Sequence, residues 1–546
     1  MKKRFISAIL SLLVLFILVS CKGDTGYKTD SVTGEVILQG ENLAPAGESA
    51  GKERVFYEIF VGSFSDSNGD GTGDLRGIIN RMDYLNDGDP ASGKSLGVEG
   101  IWLTPIFRSP SYHKYDVTNY YAIDEKFGTF DDLKELISLC HERGVKIILD
   151  LVINHTSKDN LWFTKFCNAH RENDTENEFY DYYSYLLEGE TSSKKYGYIT
   201  GTKERYECNF GGDMPELNFD NENVRKAVLD VAKYYLDLGV DGFRFDAAKY
   251  VYMGDEQKNV EFWNWYLGEL RKDYPDIYTV AEVWDSDSVA NAYTEATSVF
   301  NFTVAQAEGK LSAAAKKGNV YLYTAYVESQ VSLIRSKGGN AVFAPFITNH
   351  DMDRAAGFDT LASGYAQMAA NLLILCPGSP FIYYGEEIGM KGVRGTSNTD
   401  ANRRLAMLWG DGDTVKNPVG SDYPSSKQTN GDVVTQYADP DSLYNRYKML
   451  IMVRRANPEI AVGTYFAVSF DGLKAGGFIS EYQGKSVLVV HNTSASEATM
   501  DIAETLAEHG LKDPYIKNCI GGDSALDGTA LKMPPQSSVV IRFGDD

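Results

Sequence analysis

The chain has 546 residues, 43% hydrophobic and 24% charged, enough apolar material for two or three domains. Its formal net charge is −23, with an isoelectric point near 4.8. Such a surface repels phosphate backbones and anionic lipid, which excludes nucleic acid as a partner and suits a neutral or cationic one.

The chain opens on Lys2, Lys3 and Arg4, followed by an apolar run of 15 residues from Phe5 to Val19. That is short for a membrane span and reads as a signal peptide, residues 1–21. Its end, Leu18-Val19-Ser20-Cys21, resembles the lipobox of bacterial lipoproteins. The resemblance implies a lipidated Cys21, attachment to a membrane through that lipid alone, and a place in the cell envelope, surface-exposed or periplasmic. Residues 22–52, rich in Gly, Ser, Thr, Glu and Lys, are expected to be a flexible tether. The remaining cysteines have no metal-site spacing, and the residues leave a Cys167–Cys208 disulfide open.

From residue 54 short apolar runs alternate with amphipathic stretches. Val55–Phe60, Gly100–Pro105, Lys146–Ile153, Val240–Asp246, Tyr278–Val283, Val342–Thr348 and Phe381–Tyr384 read as strands. Phe130–Arg143, Val224–Leu238, Gln257–Tyr274 and Tyr365–Leu375 read as helices. Repeated strand–helix units predict an α/β fold, a (β/α)₈ TIM barrel over 53–155 and 219–462. A doubly wound sheet would need a Gly-rich phosphate loop after an early strand, and none is evident. Residues 156–218, rich in Tyr and turn signals, read as a small domain inserted after the third strand. Short alternating strands over 463–546 predict a C-terminal antiparallel β-sandwich. One chain is expected to act alone, as a monomer.

Active-site residues of such barrels sit where strands end. The third strand runs out into Asn154-His155, the fourth into Arg244-Phe245-Asp246, the fifth into Glu282-Val283-Trp284 and the seventh into Asn349-His350-Asp351. Arg244 and Asp246, two apart in a strand, share a face. Three carboxylates, an Arg and two His on one face suit cleavage of a glycosidic bond through an oxocarbenium-like state. Asp246 beside Arg244 is expected to have a depressed pKa and to act as nucleophile. Glu282 next to an indole is expected to have a raised one and to act as general acid. Asp351, His155 and His350 would bind hydroxyls.

The motifs DLVINH (150–155), GFRFDAAKY (242–250), EVW (282–284), TNHD (348–351) and MPELN (214–218) resemble the α-amylase family, glycoside hydrolase family 13, intermediate between its oligo-1,6-glucosidase and neopullulanase types. The resemblance covers residue 54 to the C-terminus. It implies retaining hydrolysis of α-glucosidic bonds, with Asp246 as nucleophile, Glu282 as acid/base and Asp351 as transition-state stabiliser. It implies that Arg244, His155 and His350 line the subsite of the cleaved glucose, that Tyr115 and Asp116 belong to it, and that Lys249 lies on the leaving-group side. An Arg at 403 or 404, taken as Arg404, would contact that glucose or Asp351. Retention implies carboxyl groups of Asp246 and Glu282 about 5–5.5 Å apart.

Asp66, Asn68, Asp70, Thr72 and Asp74 place oxygens at alternate positions of a Gly-rich loop, a spacing that suits Ca²⁺. The loop resembles the calcium loop of oligo-1,6-glucosidase-like members. Many members hold another calcium through the residue matching Asn154, but Glu216 stands where the usual amylase pattern has Asp, so that second site stays open. Tyr112 and Val283-Trp284 depart from the exo-acting members and point to an open, endo-acting cleft on starch or maltodextrin. A 4-α-glucanotransferase, a cyclomaltodextrinase or neopullulanase, an α-glucosidase, and a non-catalytic glucan-binding surface lipoprotein are the alternatives.

Overall fold

The apolar runs become strands buried on both faces. The computed structural model describes residues 19–20, 26–46, 51–318, 320–358, 364–470 and 474–544. Cys21 and nearly all of the predicted signal peptide lie outside the described residues. Seven parallel strands form the central sheet: β1 (Phe56–Ile59), β2 (Gly100–Leu103), β3 (Lys146–Leu151), β4 (Gly242–Phe245), β5 (Tyr278–Ala281), β6 (Ser298–Val299) and β7 (Phe381–Tyr383). Their order is β6-β5-β4-β3-β2-β1-β7. The predicted strand Val342–Thr348 crosses the gap between β6 and β7 only through isolated parallel bridges, Phe300–Ala344 and Phe346–Phe381. Pro345, which has no N–H, interrupts the ladder there. With that eighth position the sheet curls into the (β/α)₈ barrel.

Phe56, Trp102, Ile148, Val280, Phe300 and Phe381 fill the barrel interior. Gly242 is needed for close approach, since a Cβ there would lie 1.8 Å from the Tyr278 carbonyl oxygen. Helices α1 (Phe130–Glu142), α2 (Glu222–Asp237), α3 (Glu256–Asp273), α4 (Val320–Ser336), α5 (Ala366–Ile374) and α6 (Leu443–Ala456) lie outside. A capping box starts α1: the Thr129 hydroxyl accepts from Asp132 N, and Asp132 accepts from Thr129 N.

Residues 156–218 hold a helix, Leu161–Glu172, and a three-stranded antiparallel sheet. Cys167 and Cys208 are both free thiols. The C-terminal domain packs a five-stranded antiparallel sheet (Thr464–Phe470, Ala475–Tyr482, Lys485–Asn492, Ser537–Phe543, Pro514–Ile520) on a smaller one carrying Ala498–Asp501, Ala525–Asp527 and Ala530–Met533. Between them lie Ile479, Leu488, Val539, Met500, Leu531 and Met533. Arg542 reaches back from this domain to Glu459 in a bidentate buried pair, at 2.8 and 2.9 Å.

The tether expected over 22–52 is largely folded. Gly26–Thr29 and Val36–Gln39 form a hairpin whose Val36 and Leu38 are buried, as is Leu43 beyond it. Lys448 of α6, itself buried, donates to Val36 O at 2.5 Å and to Lys94 O at 3.3 Å. Four buried apolar residues, Val36, Ile37, Leu38 and Leu43, suffice in a mostly polar segment because the barrel supplies the other half of their core.

Candidate active site

The carboxyl ends of β3, β4 and β5, with the segment before β7, place the acidic groups around one guanidinium. Arg244, fully buried on β4, donates from Nη1 to Asp150 Oδ1 (2.8 Å) and Asp246 Oδ1 (2.7 Å). Its Nη2 lies 2.9 Å from Glu282 Oε2, outside hydrogen-bond alignment. Glu282 Oε2 accepts instead from Ala247 N at 3.1 Å. Ala247 adopts a left-handed conformation, φ 46°, rare for a residue with a Cβ. That turn points its N–H at Glu282 and carries the chain off the strand just after Asp246.

Asp351 sits opposite. Arg404 Nη2 donates to its Oδ1 at 2.6 Å, and His350 Nε2 lies 3.1 Å from its Oδ2. His350 is buried, with Nδ1 2.5 Å from Glu58 Oε1 and Nε2 2.7 Å from the Tyr115 hydroxyl. The Tyr115 hydroxyl in turn donates to Asp150 Oδ2 at 2.8 Å. One hydrogen-bonded chain therefore runs from Glu58 through His350, Tyr115 and Asp150 to Arg244.

Burial dominates the protonation of these groups. It pushes Asp150 up to about 7 despite Arg244. It raises Glu282, the direction expected, with Arg244 opposing it and Asp246 and Asp351 adding to it. It also raises Asp246, contrary to the depressed value expected from the Arg–Asp spacing. Arg244 does act on Asp246, but it is shared among three carboxyls and cannot cancel desolvation for each. Burial works against Asp351 as well, yet His350, Arg404 and Arg244 together hold it well below the usual carboxylate range. His350 loses charge to burial but gains more from Asp351 and Glu58, and titrates at about 10. Burial drops His155 to about 4, so it is neutral.

A cavity of about 800 Å³ exposes this constellation, lined among others by Tyr112, Tyr115, His155, Asp246, Lys249, Glu282, Asp351 and Arg404. His350 and Arg244 lie behind it rather than in its wall. Asp116, expected in the subsite, is buried instead, accepting from Ser109 Oγ (2.7 Å) and Ser111 Oγ. It fixes the loop that presents Tyr115. Lys249 Nζ donates to Trp284 O and Asp285 Oδ2, both at 2.8 Å. Trp284 is half-exposed, stacked on Phe302 at 4.8 Å. Phe210 and Tyr250 meet edge to face on the same wall, ring centroids 4.9 Å apart.

Residues 58–463 match the family described as "Alpha amylase, catalytic domain", and residues 476–540 match "Alpha-amylase SusG C-terminal domain". The chain belongs to the α-amylase family. Alpha-amylase 3 of Dictyoglomus thermophilum is 33% identical over 495 residues, 90% of this chain and 93% of that protein. A 4-alpha-glucanotransferase of Thermotoga maritima is 31% identical, over 71% of this chain and 84% of its own length. The solved structure of Eubacterium rectale Amy13B superposes with a TM-score of 0.83 at 32% identity, covering 92% of this chain and 98% of that one. An α-amylase-family catalytic domain makes the chain a glycoside hydrolase or transferase, and Asp246, Glu282 and Asp351 line one cavity.

Sequence reasoning missed Glu58, although a single Glu inside the apolar run VFYEIF was the available signal. It also missed Asp150 as a partner of Arg244, and it left Tyr112 without its bond from Arg404 Nη1, at 3.1 Å.

The acidic loop at 66–74 folds on itself. Asp66 Oδ1 accepts from Asn68 N and Gly69 N, Asn68 Oδ1 from Asp70 N, Asp70 Oδ1 from Thr72 N, and Asp74 Oδ1 from Gly77 N. Among the described residues, no three His, Cys, Asp or Glu side chains are gathered as a metal set. Asn154 is buried with both amide atoms unpartnered, as is Glu216 Oε2.

Proposed function

We propose that the protein is an endo-acting α-glucan hydrolase that cleaves α-1,4 bonds of starch or maltodextrin by double displacement. The observation that carries the endo reading is the shape beyond Tyr112. This residue lines both the catalytic cavity and a second cavity of about 740 Å³. Space on that side suits a chain that continues past the cleaved glucose, and the exposed Trp284 ring suits stacking of sugar faces on the other.

In this reading Asp246 attacks the anomeric carbon while Glu282 delivers its proton to the departing oxygen, and Glu282 then takes a proton from the incoming water. Contact of both carboxyls with one guanidinium favours the short separation of retaining enzymes over the 6.5–9.5 Å or so of inverting ones. The low pKa of Asp351 keeps it charged to bind hydroxyls as positive charge develops on the ring.

A product time course on starch, maltotriose, pullulan and cyclodextrin tests this. Long oligomers appearing first from starch are the expected result. Glucose as sole product, with activity confined to isomaltose, would refute it. The Thermotoga relative motivates a second reading as a 4-α-glucanotransferase, which would show as chain-length redistribution of maltotriose with little gain in reducing ends.

We also propose that the 66–74 loop holds Ca²⁺ through Asp66, Asn68, Asp70, Asp74 and the Thr72 carbonyl. The donor set is all oxygen; Asp70 gives one oxygen to Thr72 N, while Asp66 would have to exchange bonds it now accepts from three backbone N–H groups and Thr414 Oγ1 for the ion. The ion would brace the loop and take no part in bond cleavage. A lipid on Cys21 would hold the enzyme at the cell envelope, which labelling with a radioactive fatty acid in wild type against Cys21→Ser would test.

A further inference from the structure

The amino-terminal hairpin is fastened by backbone as well as by side chains. Leu38 N donates to the Gly93 carbonyl at 3.0 Å, and Ala46 N to the Arg455 carbonyl at 3.2 Å. The Asn518 side chain, from the C-terminal domain, donates to Asn42 O at 3.0 Å. Gly93 allows the close fit: its φ is 67°, and a Cβ there would lie 1.9 Å from Leu38 O. Val36, Ile37, Leu38 and Leu43 are buried beneath these bonds.

The anchor points share one end of the barrel. Gly93 and Lys94 lie in the loop that leads into the amino-terminal end of β2. Arg455 is in the last turn of α6, with its Nε 3.8 Å from Glu99, just before β2. The catalytic carboxyls stand at the other end, where β4 and β5 finish.

Four residues separate Cys21 from Gly26, the first residue of the hairpin. Five peptide steps span at most about 18 Å when fully extended. A compact chain of this length has a radius of gyration of about 24 Å. The link is therefore shorter than the molecule's own radius, so a chain held at Cys21 has no slack with which to roll its cleft toward the surface that holds it. The strand nearest the link also suits such a surface. Gly26–Thr29 is exposed along its length, and Tyr27 is 55% and Val32, at the turn, 92% exposed. Tyr settles at the boundary between headgroups and water, and Lys28 between them can reach phosphate oxygens with its long stem.

On the reading of Cys21 as lipidated, we propose that the amino-terminal end of the barrel, with this hairpin, faces the lipid bilayer and that the catalytic cleft is turned away from it. The segment after Cys21 then orients the enzyme instead of merely tethering it. A polysaccharide far longer than the cleft enters from the open side without threading between protein and lipid.

The test uses the lipidated full chain on phosphatidylcholine vesicles, with one thiol added by Val32→Cys at the hairpin turn or by Ser286→Cys at the cleft rim beside Trp284. A bulky polyethylene glycol maleimide reports access, wild type gives the background from native thiols, and circular dichroism shows that each variant folds. Val32→Cys is expected to react on the order of tenfold more slowly on vesicles than in detergent, and Ser286→Cys at the same rate in both. Fatty-acid labelling is scored on the same preparations. Unlabelled protein overturns the lipid anchor and, with it, the orientation. Labelled protein in which Val32→Cys reacts as freely on vesicles as in detergent, or in which Ser286→Cys is the shielded site, overturns the orientation alone.

Discussion

At the scale of single residues, the site depends on how few cations serve its carboxyls. Asp246→Asn and Glu282→Gln are each expected to lower kcat about 10³-fold or more in a folded protein, measured by reducing-sugar release with circular dichroism as control. Glu58 is a positioning residue, acting through His350. Because His350 is raised from its ordinary 6.5 to about 10, its contribution to stability is complete below about pH 6.5 and is lost as pH rises through about 10. Glu58→Gln removes one of the two carboxylates that hold that proton. The alkaline fall in melting temperature is therefore expected to begin at lower pH in this variant, and an unchanged profile would refute the role. Asp246, Glu282 and Asp351 were legible because each ends an apolar run in a recognisable motif. The direction of the Asp246 shift was not, since a sequence shows which charges are near in the chain but not how many carboxyls share one Arg in space.

Elements were legible where their period was long. The helices α1, α2 and α3 fell within two residues of their predicted ends, because more than three turns of amphipathic spacing leave little ambiguity. The strand β6 and the helix α4 went unread. Two residues cannot show a period, and α4 carries Tyr and Leu on its outer face as well as its inner one, so its stripe is blurred. The amino-terminal hairpin was misread for the same reason: composition averages over 31 residues, whereas docking depends on Val36, Leu38 and Leu43. Leu38→Ala is expected to cost about 2–5 kcal/mol if the hairpin is part of the cooperative unit. Urea unfolding checks this, and a change near zero would mean that the hairpin detaches before the barrel melts.

Across the whole molecule, two buried neutral histidines set the acid limit. Burial lowers His155 to about 4 and His491 in the C-terminal domain to about 3. Unfolding lets each take up a proton near its ordinary 6.5, so stability present above that value is lost as pH falls toward the folded values. Each is expected to contribute a slope of about 1.4 kcal/mol per pH unit between roughly pH 6 and 4. His491→Gln should remove about one such unit from the pH dependence of unfolding, as read from urea titrations at several pH values. The two domains are also expected to fail together. A chain ending at 462 would leave Glu459 buried without Arg542, and Asn371 of α5 without Ser538, which accepts from it at 2.8 Å. Loss of a cooperative transition in that truncation is the expected outcome.

Arg244 touches Asp150, Asp246 and Glu282 at once, and so it sets an electroneutrality condition for the cleft floor. Three acids around one fixed cation cannot all ionise cheaply in a dry site, so hydrogen ions must be retained among them. Under that condition the affinity of Glu282 for a proton is raised, as is that of Asp150. The same condition makes that affinity a property of the trio. Asp150→Asn, which touches no sugar, would then discharge the reservoir and leave the acid more easily ionised, shifting the alkaline limb of the activity profile toward neutrality.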